Sequence, residues 1–265
     1  MGTVGKAVSL LDLLGTGGPE IALADIARAA GFDKATTRRL LVALIDHGLV
    51  EQDAATRRYR LGAGLSRLAL LREAHFPFLR TGAPVVERLA ALTGETVHLS
   101  EYSRRGLVSV HVVESPKANR ISLSLGERLP LHATASGIAF LAFAAPSQRE
   151  AATAEPLEAY TPHTIVDPSD LARHVEEARR RGYAIGTQGY EEGVESVAAP
   201  ILDGSGVAIG TLALAAPRSR TASADLDRYG ALVMEAAHEI GQRLHGRIVQ
   251  SRSVPRPEPV PEPRP

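Results

Sequence analysis

Lys34, Ala35, Thr36, Thr37, Arg38 and Arg39 put bases and hydroxyls at the head of a segment in which Leu40, Leu41, Leu44 and Ile45 recur at helical spacing. No acid follows until Asp46. A helix entering the major groove presents its N-terminal side chains to base edges and keeps its apolar face for its own domain. Its free N–H groups and dipole also favour a phosphate. Lys34, Thr36, Thr37 and Arg38 are therefore expected to face outward with Ala35 among them, and Arg39 to reach a phosphate. A second basic run, TRRYR, supplies Arg57, Arg58 and Arg60 with no acid among them. In a hairpin beside the basic helix, such a run suits the DNA backbone or the minor groove.

The elements that position these residues are legible around them. Val4, Ala7, Val8, Leu10, Leu11 and Leu14 predict a first helix, ended by GTGGP. A short helix over residues 23–30 follows, with Gly31 as a left-handed stop. The third helix spans about 33–47, with Asp33 as N-cap and Gly48 ending it. LVEQDAATRRYRLG alternates around DAAT, which predicts two short strands and a turn. Three helices and a hairpin outline a winged helix-turn-helix over residues 1–62, with double-stranded DNA as partner.

Residues 63–76 read as a linker helix with Leu65, Leu68, Leu71 and His75 on one face. From Pro77 the texture becomes an α+β mixture, and residues 77–248 form the second predicted domain. GAPVVERLAALTG is read as a helix, and two strands join through an SRRG turn. An apolar helix follows LPLHAT, and a helix with Asp167 as N-cap and Pro168 in its first turn comes next. An antiparallel pair around DGSG and a long closing helix complete the domain. Residues 249–265, rich in proline and charge, are expected to be a disordered or polyproline tail.

Composition limits the function classes. Thirty basic and thirty acidic residues cancel, so a nucleic-acid partner must be argued from local charge. With 44 % hydrophobic residues the chain can bury a sizeable core. The absence of cysteine removes thiolate chemistry and fits a cytoplasmic location. No run approaches the ~18 apolar residues of a membrane span, so no membrane partner is expected. Neither GxSxG, nor a phosphate-cradling GxxxxGK[ST], nor GxGxxG between a strand and a helix is present. No enzyme, catalytic residue or cofactor is expected. His98, His111 and His132 lack an HxH or HxxxH partner and read as structural histidines rather than metal ligands.

The stretch GFDKATTRRLLVALIDHGLVEQDAATRRYRLG resembles the N-terminal domain of the IclR family of bacterial transcriptional regulators. GERLPLHATASGIAFLAF and GYEEGVESVAAPILDGSGVAIGTLALAAP resemble its effector-binding domain, and the likeness runs from about Val4 to Ile248. It implies a GAF-like α+β sensor with an antiparallel sheet. It implies a homodimer, often a dimer of dimers, on a pseudo-palindromic operator beside a catabolic operon, controlled by a small metabolite. Repression is preferred to activation.

The resemblance also implies a carboxylate site at the N–H groups of Ala135 and Ser136, with apolar walls from Ala118, Ile121, Leu129 and Val194. Several family polar positions differ here. A common aspartate falls at Gly186, a cysteine at Ser196, two serines at Ala213 and Ala215, and a lysine at Ile138. A pocket short of polar partners rejects a tiny polar acid, because each unpaired buried group costs roughly 1–3 kcal/mol. The expected effector is a larger, more apolar carboxylate, such as an aromatic acid, or a related amide. A constitutive DNA binder with an empty sensor is the alternative.

Overall fold

A computed structural model describes residues 1–103, 106–154 and 156–252. It divides into two compact units, Met1–His75 and the chain from Phe76 onward. The central arginines of the SRRG turn, and the predicted tail from residue 253, lie outside the described residues.

The first unit contains α1 (Thr3–Thr16), α2 (Leu23–Ala30), α3 (Lys34–Asp46), β1 (Val50–Gln52), β2 (Tyr59–Leu61) and α4 (Ala63–His75). Leu10, Leu14, Ile26, Leu40, Leu41 and Leu44 form its core, closed by Val50 and Tyr59 from the hairpin. The Asp33 carboxylate accepts the Thr36 N–H at 2.8 Å and fixes where α3 begins. Gly31 and Gly48 adopt left-handed φ of 69° and 68° after α2 and α3. Only a residue without Cβ makes such turns without strain. An isolated bridge between Ile21 and Tyr59 ties the hairpin to the α1–α2 connection. α4 buries no side chain, and Leu68, Leu70 and Leu71 remain exposed.

The second unit is a six-stranded antiparallel sheet in the order β5-β4-β3-β8-β7-β6. Its strands are β3 (Thr96–Ser103), β4 (Gly106–Val113), β5 (Arg128–Leu129), β6 (Ala184–Thr187), β7 (Val194–Leu202) and β8 (Ala208–Pro217). Strand alternation divides the apolar residues between two faces. Leu212, Leu214 and Ala216 join a core built with α5 (Phe78–Thr93) and α9 (Ser223–Arg252). Ala213 and Ala198 join a second core with α6 (Ala135–Phe143) and α8 (Pro168–Arg181). Small residues under α6 let it lie close to the sheet, where Phe140 stacks on Tyr102 at 4.2 Å.

Several boundaries differ from expectation. α5 starts at Phe78 rather than near Gly82, with Pro77 as its N-cap and Pro84 inside the helix. β6 and α7 (Pro146–Ala152) form where no element was expected. β6 is a four-residue edge strand containing Gly186, and α7 has only seven residues, so neither shows a full period in sequence. α9 continues through Arg252, so residues 249–252 of the predicted tail are helical.

Leu41 is fully buried at the centre of the first core. Leu41→Ala should lower the stability of this unit by about 2–5 kcal/mol, read as a shift in its urea midpoint. A shift below about 1 kcal/mol would mean that this core is not what holds the helices together.

Candidate DNA-binding surface and effector cavity

The head of α3 exposes Lys34, Ala35, Arg38 and Arg39, with Thr36 half-buried. Thr37 corrects the outward expectation: it is fully buried, and its hydroxyl donates to the Asp33 carbonyl at 2.9 Å. It stands three, four and seven residues before Leu40, Leu41 and Leu44, so helical period places it on the inner face. The back-bond satisfies its hydroxyl there. No acid occupies the first turn of α3 apart from its cap, so its exposed charges are all basic.

The hairpin tip is shaped by Asp53, whose carboxylate accepts the N–H groups of Ala55 and Thr56 at 3.0 and 2.6 Å. These bonds hold its carboxyl below the usual carboxylate range, that from Thr56 most. Arg57 follows with a left-handed φ of 59°, and the Gln52 amide donates to its carbonyl at 2.9 Å. The side chains of Arg57 and Arg58 are exposed. Arg60 is engaged within the unit, at 3.1 Å from both Glu51 and Glu20. No acid lies within TRRYR itself, but a cross-strand acid and a loop acid partner Arg60 in the fold.

In the second unit a cavity of about 80 Å³ opens on the α6 face of the sheet. Ile121, Leu129, Val194 and Ala215 supply apolar wall, and Ala135, Ser136, Gly186 and Ser196 also line it. Ala118 and Ala213 do not. Ala118 is exposed on the connection after β4, and Ala213 is buried deeper, in the core under α6. Ala213 and Ala215 share a face by alternation, but only the latter reaches the cavity.

The Thr134 hydroxyl caps α6 by accepting the Gly137 N–H at 3.0 Å. The N–H groups of Ala135 and Ser136 belong to the preceding uncapped positions, where an anion or carbonyl oxygen is favoured. Two glycines set this turn. A Cβ on Gly137 would fall 2.3 Å from the Leu131 backbone. One on Gly186 would fall 2.9 Å from the Ala135 nitrogen and 2.7 Å from the Ser196 hydroxyl. The room that an aspartate would need at Gly186 is thus taken up by the close approach of β6 to α6. The missing side chain does not enlarge the cavity there. The Ser196 hydroxyl donates instead to the Gly186 carbonyl at 3.3 Å. Ile138 is buried in the second core.

Sequence reading took His98 as structural only and missed Glu127, Tyr190 and Glu191; all four line the cavity. His98 shares a 3.2 Å hydrogen bond with the Ser136 hydroxyl, and burial pushes its pKa down to about 4, so it is neutral near pH 7. Its signal was a lone histidine among the inward residues of an apolar strand. Tyr190 lies on a rim loop held by the hydroxyls of Thr161 and Thr164, which donate to the carbonyls of Gln188 and Gly189 at 2.7 and 2.6 Å. It packs edge-on against Tyr160 at 5.1 Å. Among the described residues no group of three or more histidine, aspartate or glutamate side chains could hold a metal ion. No described helix is long and apolar enough to cross a membrane.

A basic helix head beside a hairpin wing, on the same chain as a sheet domain with a cavity, is the arrangement of a DNA-binding transcriptional regulator. Residues 3–54 match the IclR helix-turn-helix domain, and residues 74–242 match the bacterial transcriptional regulator IclR C-terminal domain. The chain belongs to the IclR family. The glycerol operon regulatory protein of Streptomyces coelicolor is 36 % identical over 79 % of this chain and 82 % of its own. A putative IclR regulator from a Silicibacter species has 41 % identity and a TM-score of 0.80, covering 93 % of this chain and 96 % of its own. An IclR homologue from Microbacterium hydrocarbonoxydans, solved with 4-hydroxybenzoate, has 26 % identity and a TM-score of 0.79 over 92 % of this chain and all of its own.

The burial of His98 has a defined pH consequence. In the unfolded chain this histidine takes up a proton near 6.5, whereas in the folded chain it does so only near 4. Folded stability is therefore fully present above about pH 6.5 and is lost as pH falls towards 4, at ~1.4 kcal/mol per pH unit. His98→Gln should flatten the fall of the urea midpoint over that window. An unchanged slope would place the acid sensitivity elsewhere.

Proposed function

We propose that this regulator acts as a repressor of a catabolic operon, in the cytoplasm, binding a pseudo-palindromic operator as a homodimer or a dimer of dimers. The exposed bases at the head of α3 support base reading, and the wing supports backbone contact. The apolar face of α4, uncovered within one chain, supports pairing of two copies there. Binding of effector shifts the balance between two arrangements of the dimer by its difference in affinity for them, and α4 carries that change along the chain. No catalytic role is assigned to any residue.

For the effector we propose a small, largely apolar carboxylate, such as a one-ring aromatic acid, or a related amide. The observation that carries this is a helix start, with two uncapped N–H groups, facing a mainly apolar cavity that no lysine or arginine lines among the described residues. The ligand of the Microbacterium homologue, an aromatic carboxylate, belongs to the same class. A volume of about 80 Å³ limits the ligand to a small one. The same figure favours a second reading, a constitutive DNA binder with an empty sensor. A thermal shift induced by aromatic acids is expected for a sensor and not for a constitutive binder.

DNA selection from genomic fragments, at stated salt, should return one palindrome. Arg38→Ala should change which bases it contains. Arg57→Ala should weaken all sequences alike and lower the salt slope by about one unit. Equal losses on every sequence from both variants would defeat the division between base reading and phosphate contact.

A further inference from the structure

The cavity wall carries two chemically different sets of groups, one deeply buried and one nearer solvent. Ala135 and Ser136, with the uncapped N–H groups of α6, are 1 % and 2 % exposed, and His98 in the same wall is 7 % exposed with an unpartnered Nδ1. Glu127 is half-buried and Glu191 exposed, so the opposite character, carboxylate oxygen, stands towards solvent. A carboxylate offers about four acceptor sites. Glu127 uses one on the Ser124 N–H at 3.0 Å and one, at a long 3.4 Å, on the Tyr190 hydroxyl. No lysine or arginine lines the cavity among the described residues, so no cation of the wall offsets these acids. A plain acid seated on the amides feels their repulsion. An acid that also carries a donor at its outer end gains a charge-assisted hydrogen bond instead.

Resting on the effector reading above, we propose that the effector is bifunctional: a carboxylate or amide oxygen on the Ala135 and Ser136 N–H groups, and a hydroxyl or ammonium donor on Glu127. The site thus prefers a zwitterion or a hydroxylated acid to the unsubstituted acid of the same size. The Tyr190 hydroxyl, already directed at Glu127, orients the carboxylate that receives the donor.

The test is a calorimetric titration of the full-length protein with two matched sets: benzoate against 3-hydroxybenzoate and 4-(aminomethyl)benzoate, and pentanoate against 5-aminopentanoate. The readout is the affinity ratio of each donor-bearing acid to its parent. A ratio of about ten or more is expected in at least one set, as one charge-assisted hydrogen bond supplies. Glu127→Gln, which keeps the side-chain size and an oxygen for the Ser124 N–H, should bring that ratio to about one. The wild-type ratio requires no variant to fold. Acids that bind with ratios near one overturn this inference and leave the carboxylate reading standing. A high ratio that survives Glu127→Gln overturns the assignment to Glu127. If no acid of either set binds while the protein still binds DNA, both the bifunctional effector and the carboxylate reading fall.

Discussion

The second unit depends on how closely one helix start can approach a sheet. The first turn of α6 touches the Leu131 backbone at Gly137 and has β6 against it at Gly186, and at either place a Cβ would meet backbone at under 3.0 Å. Interiors packed to crystal-like density do not absorb such an overlap without moving an element. The uncapped amides are consequently presented by rigid backbone, with Thr134 fixing the turn from one side and β6 from the other. That approach also decides what the cavity can hold. At Gly186 the lack of a side chain is what lets β6 come close to the first of these amides.

The DNA-binding unit has the opposite economy, since its function lies in side chains that the fold leaves free. Asp33 is the one acid at the head of α3, and its carboxylate is occupied by the helix's own N–H groups. The wing shows how the unit sorts its bases: Glu20 and Glu51 pair with the exposed Arg60, Arg58 donates to the Glu20 carbonyl at 3.5 Å, and the side chain of Arg57 stays exposed at the tip. Exposed ion pairs add little stability. Their consequence is geometric, in that Arg60 braces the hairpin beneath the arginines that face outward.

Much of this was legible in the sequence, and the exceptions have distinct causes. The three helices, their caps at Asp33, Gly31 and Gly48, and the hairpin follow from period and turn chemistry within short, contiguous stretches. Thr37 was also legible, since its spacing to Leu40, Leu41 and Leu44 is that of the inner face, but its polarity was given more weight than its phase. The partners of Arg60 were not, because Glu20 comes from 40 residues earlier. The cavity divides similarly. Alternation puts Ala213 and Ala215 on one face, but nothing local says that α6 covers the first and leaves the second at the cavity. Glu127, Tyr190 and Glu191 come together from segments more than sixty residues apart, as the 63-residue separation of the Tyr190–Glu127 bond shows.

A neutral histidine beside a helix start has a consequence for sensing. Were His98 charged, it would supply the positive field for an anionic ligand, and affinity would follow its titration between pH 4 and 6.5. Burial keeps it neutral near pH 7, so it adds no positive charge to the helix start, whose amides do not titrate. Its bond to Ser136 then engages the hydroxyl of the second helical residue. Near neutrality, then, pH leaves the charge of this histidine in the cavity wall unchanged. The protonation that would alter the site also destabilises the unit that contains it.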